Sequence, residues 1–336
     1  MVKSDAVLVP VSVNGKWGYV DAEGEMVIEP QLEYAGFFSN GLAGVKVDGK
    51  WGYIRKTGEV VIEPQFDNIE RFSEGLACVC VGGSGDFRHG FVDMKGNLIV
   101  PLVYGGAGDF HEGLAQVEDD GRWGYIDKSG NMAIKPEYDA SLGFSEGLAA
   151  VRLKGKWGYI DAAGRLTIPP QFDDASRFSE GLARIRSGER WMYIDRTGAA
   201  ALAPACDSNG VGDFAEGLAI INMGGVLEKG RNSTQGDQLV RSRIGFIDKQ
   251  GNLVIQPRFF SAGIFSDGLA AVGPGGYDGE GHLLDKRGYI DKTGKIVIPA
   301  QFDWAGDFHE GLALVNIGQE YGYIDGGGRY IWKPTR

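Results

Sequence analysis

The chain has 336 residues, a formal net charge of −11 and 43% apolar residues. That acidity argues against a nucleic-acid backbone or an anionic membrane as the main partner, and no stretch approaches the ~18 apolar residues of a membrane span. Three cysteines are too few to staple a chain of this length into a disulfide framework.

The opening residues, Met1-Val2-Lys3-Ser4-Asp5, lack the apolar run and small-residue cleavage site of a secretory signal. The expectation is a cytoplasmic protein, or a mature chain whose signal segment has been removed. The first strong pattern is Asn14-Gly15-Lys16-Trp17-Gly18-Tyr19. It returns at Asp48-Gly49-Lys50-Trp51-Gly52-Tyr53, 34 residues later, and in varied form seven more times. The Gly of each Trp-Gly-Tyr-like step falls at 18, 52, 90, 124 and 158, is replaced by Met192, and returns at 245, 288 and 322. Five of these eight intervals are 34 residues; the others are 38, 53 and 43. Periods of this size signify tandem units that stack on one another.

The second unit shows the plan. Leu42-Ala43-Gly44-Val45-Lys46-Val47 meets Asp48-Gly49 and continues as Lys50-Trp51-Gly52-Tyr53-Ile54. Asp-Gly between two alternating runs predicts a two-residue hairpin, because both turn residues take positive φ. This turn sets Val47 opposite Lys50, Lys46 opposite Trp51, Val45 opposite Gly52 and Gly44 opposite Tyr53. One face then carries Ala43, Val45, Val47, Gly52 and Ile54, and the other carries Gly44, Lys46, Trp51 and Tyr53. A second turn at Arg55-Lys56-Thr57-Gly58 leads to a short strand, Val60-Val61-Ile62, expected to stop at the proline that follows. The Asp of Tyr-Ile-Asp (21, 127, 161, 195, 248, 291, 325) starts this second turn and is expected to bond its backbone. Phe-x-x-Gly-Leu-Ala occurs eight times, which points to Phe and Leu as the dry core between units and to Gly as a site of positive φ.

The long intervals all gain residues at one hairpin tip, near 82–88, 223–243 and 273–286, where Trp has become His89, Ile244 and Arg287. Insertions sharing a tip emerge on one side, often a binding side. The longest, Gly224 to Arg243, is polar and reads as a mobile loop carrying Lys229, Arg231, Arg241 and Arg243.

Gly-Lys-Trp-Gly-Tyr-Ile-Asp, then Thr-Gly, Val-Ile-x-Pro-Gln-Phe-Asp and Phe-Ser-Glu-Gly-Leu-Ala resemble the bacterial WG (KWG) repeat, from about Val7 to Pro334. The resemblance implies β-rich tandem repeats and supplies no catalytic residue. Departures are Met192, the Trp replacements and Ala199-Ala200-Ala201-Leu202, which place local irregularity around the sixth unit. The expected architecture is all-β: a single array over 1–336 of eight full units and a final hairpin unit. An open β-superhelix is favoured because the terminal hairpins are redundant, with a β-propeller as the alternative.

Candidate chemistry is sparse. Cys78 and Cys80 share a strand face, but no third ligand is near in sequence, so no metal is assigned. His111 and His309 stand at the Ser position of the turn and read as repeat variants. His89 and His282 lie in or beside insertions, where a ligand could touch them. Asp207-Ser208-Asn209-Gly210 fails as a calcium loop because Val211 and Leu218 sit at ligand positions, and Gly82 to Gly85 lacks the Lys-Ser/Thr of a phosphate loop. Neither a cofactor nor an enzymatic activity is expected. The sharpest candidate is the periodic aromatic set Trp17, Trp51, Trp123, Trp157 and Trp191, each followed two residues later by Tyr except that the Gly step at 192 is Met. Such a face is either packed between units or a ladder for glycan or peptide. The functional expectation is a non-catalytic scaffold that binds another protein through its tip loops, with glycan or cell-wall binding through the aromatic face as the alternative.

Overall fold

The structure, a computed structural model, describes residues 7–83, 85–206, 210–229, 238–275 and 286–335; at 225–229, 238–242 and 334–335 it describes the backbone alone. The chain divides into two compact units, Met1–Arg177 and Phe178–Thr335, built on one plan. Among the described residues there is no helix, and the strands form nine antiparallel sheets that follow one another along the chain. The all-β tandem-repeat expectation holds. Each regular sheet is a four-stranded meander, the construction of a propeller blade and thus of the alternative reading.

The second sheet runs Tyr34–Ser39, Leu42–Val47, Lys50–Arg55 and Val60–Phe66, in that order. Its central pair has the register set by the Asp48-Gly49 turn, with φ of 49° and 76° at those residues. The fourth strand corrects the sequence reading, since it does not end at proline. It continues through Pro64 to Phe66, with Trp51 opposite Phe66 and Tyr53 opposite Ile62. A single residue, Gly52, therefore faces three, Glu63-Pro64-Gln65, across a bulge. This geometry explains both Gly and Pro. The bulged chain crosses so close that a Cβ on Gly124, the equivalent residue two sheets on, would lie 2.5 Å from the Ile134 carbonyl oxygen. Proline fits because a bulge needs no ladder N–H. The sixth sheet is the test within the chain: Met192 carries the forbidden Cβ, and there the fourth strand is only Ala200–Leu202, which keeps the register shift between Tyr193 and Ile194 but ends before the three-residue bulge. The irregularity expected around this unit is present, and steric exclusion is its cause.

Both faces of a sheet are buried, each against a neighbour. Leu42, Tyr53, Ile62 and Phe66 of the second sheet pack on Phe72, Ala77, Val79 and Val92 of the third. The opposite face of the second sheet, Ala35, Ala43, Val45 and Ile54, packs on Leu8, Tyr19, Ile28 and Leu32 of the first. In the other unit the same roles fall to Tyr289, Ile298 and Phe302 against Phe308, Ala313 and Ile324. Phe and Leu of Phe-x-x-Gly-Leu-Ala are thus core, as expected; burying one such side chain contributes about 1.5–3 kcal/mol. The Tyr ring meets the next Phe edge-on, with centroids 4.8 Å apart for Tyr53–Phe72 and 5.0 Å for Tyr125–Phe144. Its hydroxyl, unable to reach water, donates to a backbone carbonyl: Tyr53 to Glu70 at 2.7 Å, Tyr125 to Leu142 and Tyr289 to Gly306 at 2.8 Å.

A polar clip ties the turns of neighbouring sheets. Ser73-Glu74-Gly75-Leu76 closes as a hairpin turn with φ of 52° at Glu74 and 87° at Gly75. Asn or Gly would adopt such angles at lower cost than Glu. The Glu74 carboxylate accepts from the Gly113 N–H at 3.0 Å and pairs with Lys128 at 2.9 Å, both on the next sheet. Glu180 does the same with Gly217 and Lys249, and Glu216 with Gly268 and Lys292. The neighbouring hydroxyl bridges too: Ser73 Oγ donates to the Phe110 carbonyl at 2.7 Å. The recurring Asp after Tyr-Ile bonds its own turn as read from the sequence, Asp127 Oδ1 accepting from the N–H of Ser129 and Asn131 at 2.9 Å.

Two predictions follow from these constraints. Gly124→Ala should cost about 2–3 kcal/mol because backbone, not a side chain, must move, whereas Met192→Ala should cost under about 1 kcal/mol. Urea denaturation of the two variants checks this, and equal losses would refute the bulge account. The Lys128 bond holds the Glu74 carboxyl below its ordinary 4.5; at Glu180, partial burial pulls upward but Lys249 and the Gly217 N–H win, and its value is also lowered. With native values depressed, the unfolded chain binds more protons between the two values. The stabilisation is therefore complete above 4.5 and is lost as pH falls through the native value. Urea midpoints measured between about pH 6 and pH 3 should fall less steeply in Glu74→Gln than in wild type.

Candidate functional site

The five tryptophans predicted as a periodic face are all half-buried. Their Tyr companions are not part of any surface: Tyr19, Tyr53, Tyr125, Tyr159 and Tyr193 are wholly buried. This corrects the aromatic-ladder expectation for half of its residues, because the next sheet covers the Tyr ring and leaves Trp, on the same face, only half-buried. The Trp ring reaches a strand that opens a sheet: a Cβ on Gly106, in the first strand of the same sheet, would lie 3.0 Å from the Trp123 ring, and one on Gly210, in the segment that opens the next sheet, 2.6 Å from that of Trp191. Cations flank two of the rings, with Lys46 at 5.8 Å from Trp51 and with Arg184 and Arg186 at 4.9 and 5.8 Å from Trp191.

One place does assemble an aromatic surface. Tyr34 stands between Trp17 and Trp51, with ring centroids 5.1 and 5.3 Å away, and is 45% exposed. Sequence reading passed over Tyr34. The signal was available, because five other units carry Asn68, Gly106, Ala140, Asp174 and Ser261 at this position, and the last sheet alone among these repeats an aromatic there, Trp304.

The tip insertions differ in form. The first is a hairpin lengthened to Leu76–Gly83 and Asp86–Asp93. The second is not a loop as expected but a paired ribbon, Leu218–Lys229 with Gln238–Asp248, laddered out to Lys229 opposite Gln238. Lys229 and Arg241 sit on this ribbon, their side chains outside the described residues, as are Arg231 and His282 altogether. Asp207 to Asn209 and most of the third insertion lie outside them too.

His89 faces Cys80 across the first of these hairpins. It lines a cavity of about 40 Å³ with Asn68, Glu70, Cys78 and Cys80, and its Nδ1 is buried without a hydrogen-bond partner. Burial pushes both thiols up, away from the reactive thiolate. Among the described residues no three His, Cys, Asp or Glu side chains are arranged to hold a metal ion. His111 keeps the turn as a repeat variant, its Nε2 lying 3.4 Å from Arg177 Nη1. Beside it, burial raises the Asp109 carboxyl although His111, Arg71 and Arg177 pull the other way. No helix among the described residues is long and apolar enough to cross a membrane.

A concavity with a mixed lining is found in the second unit. A groove of about 520 Å³ is lined by Arg258, Phe259, Pro274, Gly294, Lys295 and Ile296. Pro274 lies within the third insertion, so the groove opens at the root of a tip. Arg243, predicted as a binding residue, stacks on Phe260 with Cζ 3.7 Å from the ring centroid, and its Nη1 donates to the Arg258 carbonyl at 3.5 Å.

Comparison with solved structures gives distant likenesses only. Apo AztD from Citrobacter koseri is 12% identical over 98% of this chain and 93% of that one, with a TM-score of 0.39. The WD40 domain of SCAP from fission yeast is 8% identical over 98% and 97%, with a TM-score of 0.39. The tricorn protease is 11% identical with a TM-score of 0.34; the match takes in 94% of this chain and 37% of that protein's length. No curated protein matches the sequence. The model of the WG containing repeat, by contrast, matches eight segments: 17–51, 51–84, 90–123, 123–157, 157–191, 191–226, 244–273 and 288–321. With that motif recurring over most of its length, and a Trp-Gly step built into a bulge in sheet after sheet, the chain belongs to the WG-containing-repeat family.

Proposed function

We propose that this protein is a non-catalytic scaffold that binds another protein through the hairpin tips of its sheets. The observation that carries the reading is where regularity breaks. Bulge, core and clip repeat from sheet to sheet, while length and composition vary at the tip between second and third strands. A stack whose sheets are used up in holding each other leaves its tips free to diverge. The reading also accounts for the ribbon Leu218–Lys229 with Gln238–Asp248, which extends well past its siblings' hairpins. The test is affinity capture from source-cell lysate with wild type and with a variant whose three insertions are cut to Asp-Gly. Recovery of one protein by wild type and its loss with the trimmed variant is the expected result. Equal recovery by both would remove the tips from the reading.

A second reading rests on the triad Trp17, Tyr34 and Trp51, whose contiguous rings resemble a platform on which sugar rings stack. Under it, soluble cell-wall glycan fragments should quench tryptophan emission in wild type and not in Tyr34→Ala. Emission unchanged at saturating glycan would eliminate it.

A further inference from the structure

In most units the residue opening the link to the next sheet is an acid with a fixed task. Asp67 accepts from the N–H of Gly82 at 2.9 Å and from Lys50 at 2.6 Å. Glu33 accepts from Gly49, Asp139 from Gly155 and from Arg122, Asp173 from Lys156, and Asp303 from Gly318 and Lys286. Asp67, Asp139, Asp173 and Asp303 thus neutralise the cation that follows the hairpin tip of their sheets. Two described junctions lack the acid: Gly105 stands at this position between the third and fourth sheets, and Phe260 between the seventh and eighth. At the latter the cation is still present, as Arg243, but it lies flat on the Phe260 ring, and Gly275 presses on the same ring where any Cβ would collide with it.

The same junction holds a second departure. Arg258 stands where the other fourth strands carry Gln31, Gln65, Val103, Glu137, Gln171 and Gln301. It packs 5.0 Å from the Phe259 ring centroid and gives one of its donors to the Gly294 carbonyl at 2.5 Å. A guanidinium has five donors in all. Lys295 stands on the same groove; Asp291, the acid in its turn, accepts at Oδ1 from the N–H of Thr293 and Lys295 and also attracts the Lys295 charge. An acid has been lost and a cation gained at one joint of a chain whose net charge is −11. The result is a groove of about 520 Å³ with cations on an apolar floor, within the size range of ligand sites.

We infer that this groove, at the junction of the seventh and eighth sheets, binds an acidic peptide segment in which a carboxylate side chain neighbours a large apolar one. The carboxylate meets Arg258 and Lys295, and the apolar side chain enters between Pro274 and Ile296. An extended peptide is favoured over a small free acid because the apolar surface runs on past the groove, with Ile296 56% and Val297 40% exposed. Both strands that supply its walls, Leu253–Phe259 and Ile296–Phe302, are also the last members of their sheets, with backbone groups turned outward. This inference rests on the proposal that the protein binds another protein, and it names the chemistry at one tip root.

Fluorescence anisotropy tests it, using a labelled short peptide in which Glu alternates with Leu or Phe and a counterpart with Gln for Glu. Wild type should bind the acidic peptide at least about tenfold more tightly than the neutral one. Arg258→Gln, which restores the residue of the sibling strands, should lose about tenfold in affinity with unchanged circular dichroism and thermal midpoint. Phe260→Asp, which restores the neutralising acid, should weaken binding in the same direction. Failure of wild type to bind either peptide, equal binding of both, or full affinity in Arg258→Gln would each overturn the inference. If Arg258→Gln still captures a lysate protein that the trimmed-tip variant loses, the scaffold reading stands and the groove alone is discarded.

Discussion

Every sheet in this protein has two apolar faces and no means of covering either by itself. A unit of about 34 residues buries too little surface to be stable alone. The Tyr face of one sheet therefore meets the Phe-Leu-Ala face of the next, as in Leu42, Tyr53, Ile62 and Phe66 against Phe72, Ala77, Val79 and Val92. Fixed spacing between sheets requires a fixed edge, and the bulge provides it. With three fourth-strand residues facing one glycine, that strand swings over the Trp-Gly step and brings Phe66 opposite Trp51. Phe66 then belongs to the same core as Tyr53, although thirteen residues separate them along the chain.

Polar groups specify register where apolar contact alone would allow sliding. The Tyr hydroxyl has one carbonyl within reach, and the Glu of each turn has one Gly N–H on the next sheet. Placing Glu at positive φ is a local cost accepted for an interaction between units. The ion pairs that complete these clips are partly solvated, and each contributes little by itself. Their significance is directional, since each links a sheet to its successor and to no other.

Repetition makes function visible by contrast. A carboxylate that recurs in most units is a structural part, so the units lacking it are the informative ones. Phe260 in place of an acid, Arg258 in place of Gln, and Tyr34 and Trp304 in place of smaller residues are among the departures that change surface chemistry. Met192 is a departure of another kind, because its consequence is a shortened strand. The His89 cavity is a third kind: small, and walled by Glu70, Cys78 and Cys80 without these side chains being arranged to hold a metal ion.

Local chemistry was legible from the chain alone. The period, the Asp-Gly turn with its register, the Asp that bonds its own turn and the core role of Phe and Leu all follow from neighbours within one unit. The aromatic face was misread because strand alternation tells which side a residue takes, not what covers that side; Tyr53 and Trp51 share a face, yet one is wholly buried and the other is not. The strand through Pro64 was cut short for a related reason, since a bulge is a property of two chains meeting and proline is read from one. Arg258 was invisible as a site until the fold set it beside Lys295 and Pro274, residues 37 and 16 positions away. Sequence determined what each unit is, through interactions a few residues apart. Only the tertiary structure decided what each unit touches, because packing between sheets joins residues whose spacing no local rule encodes.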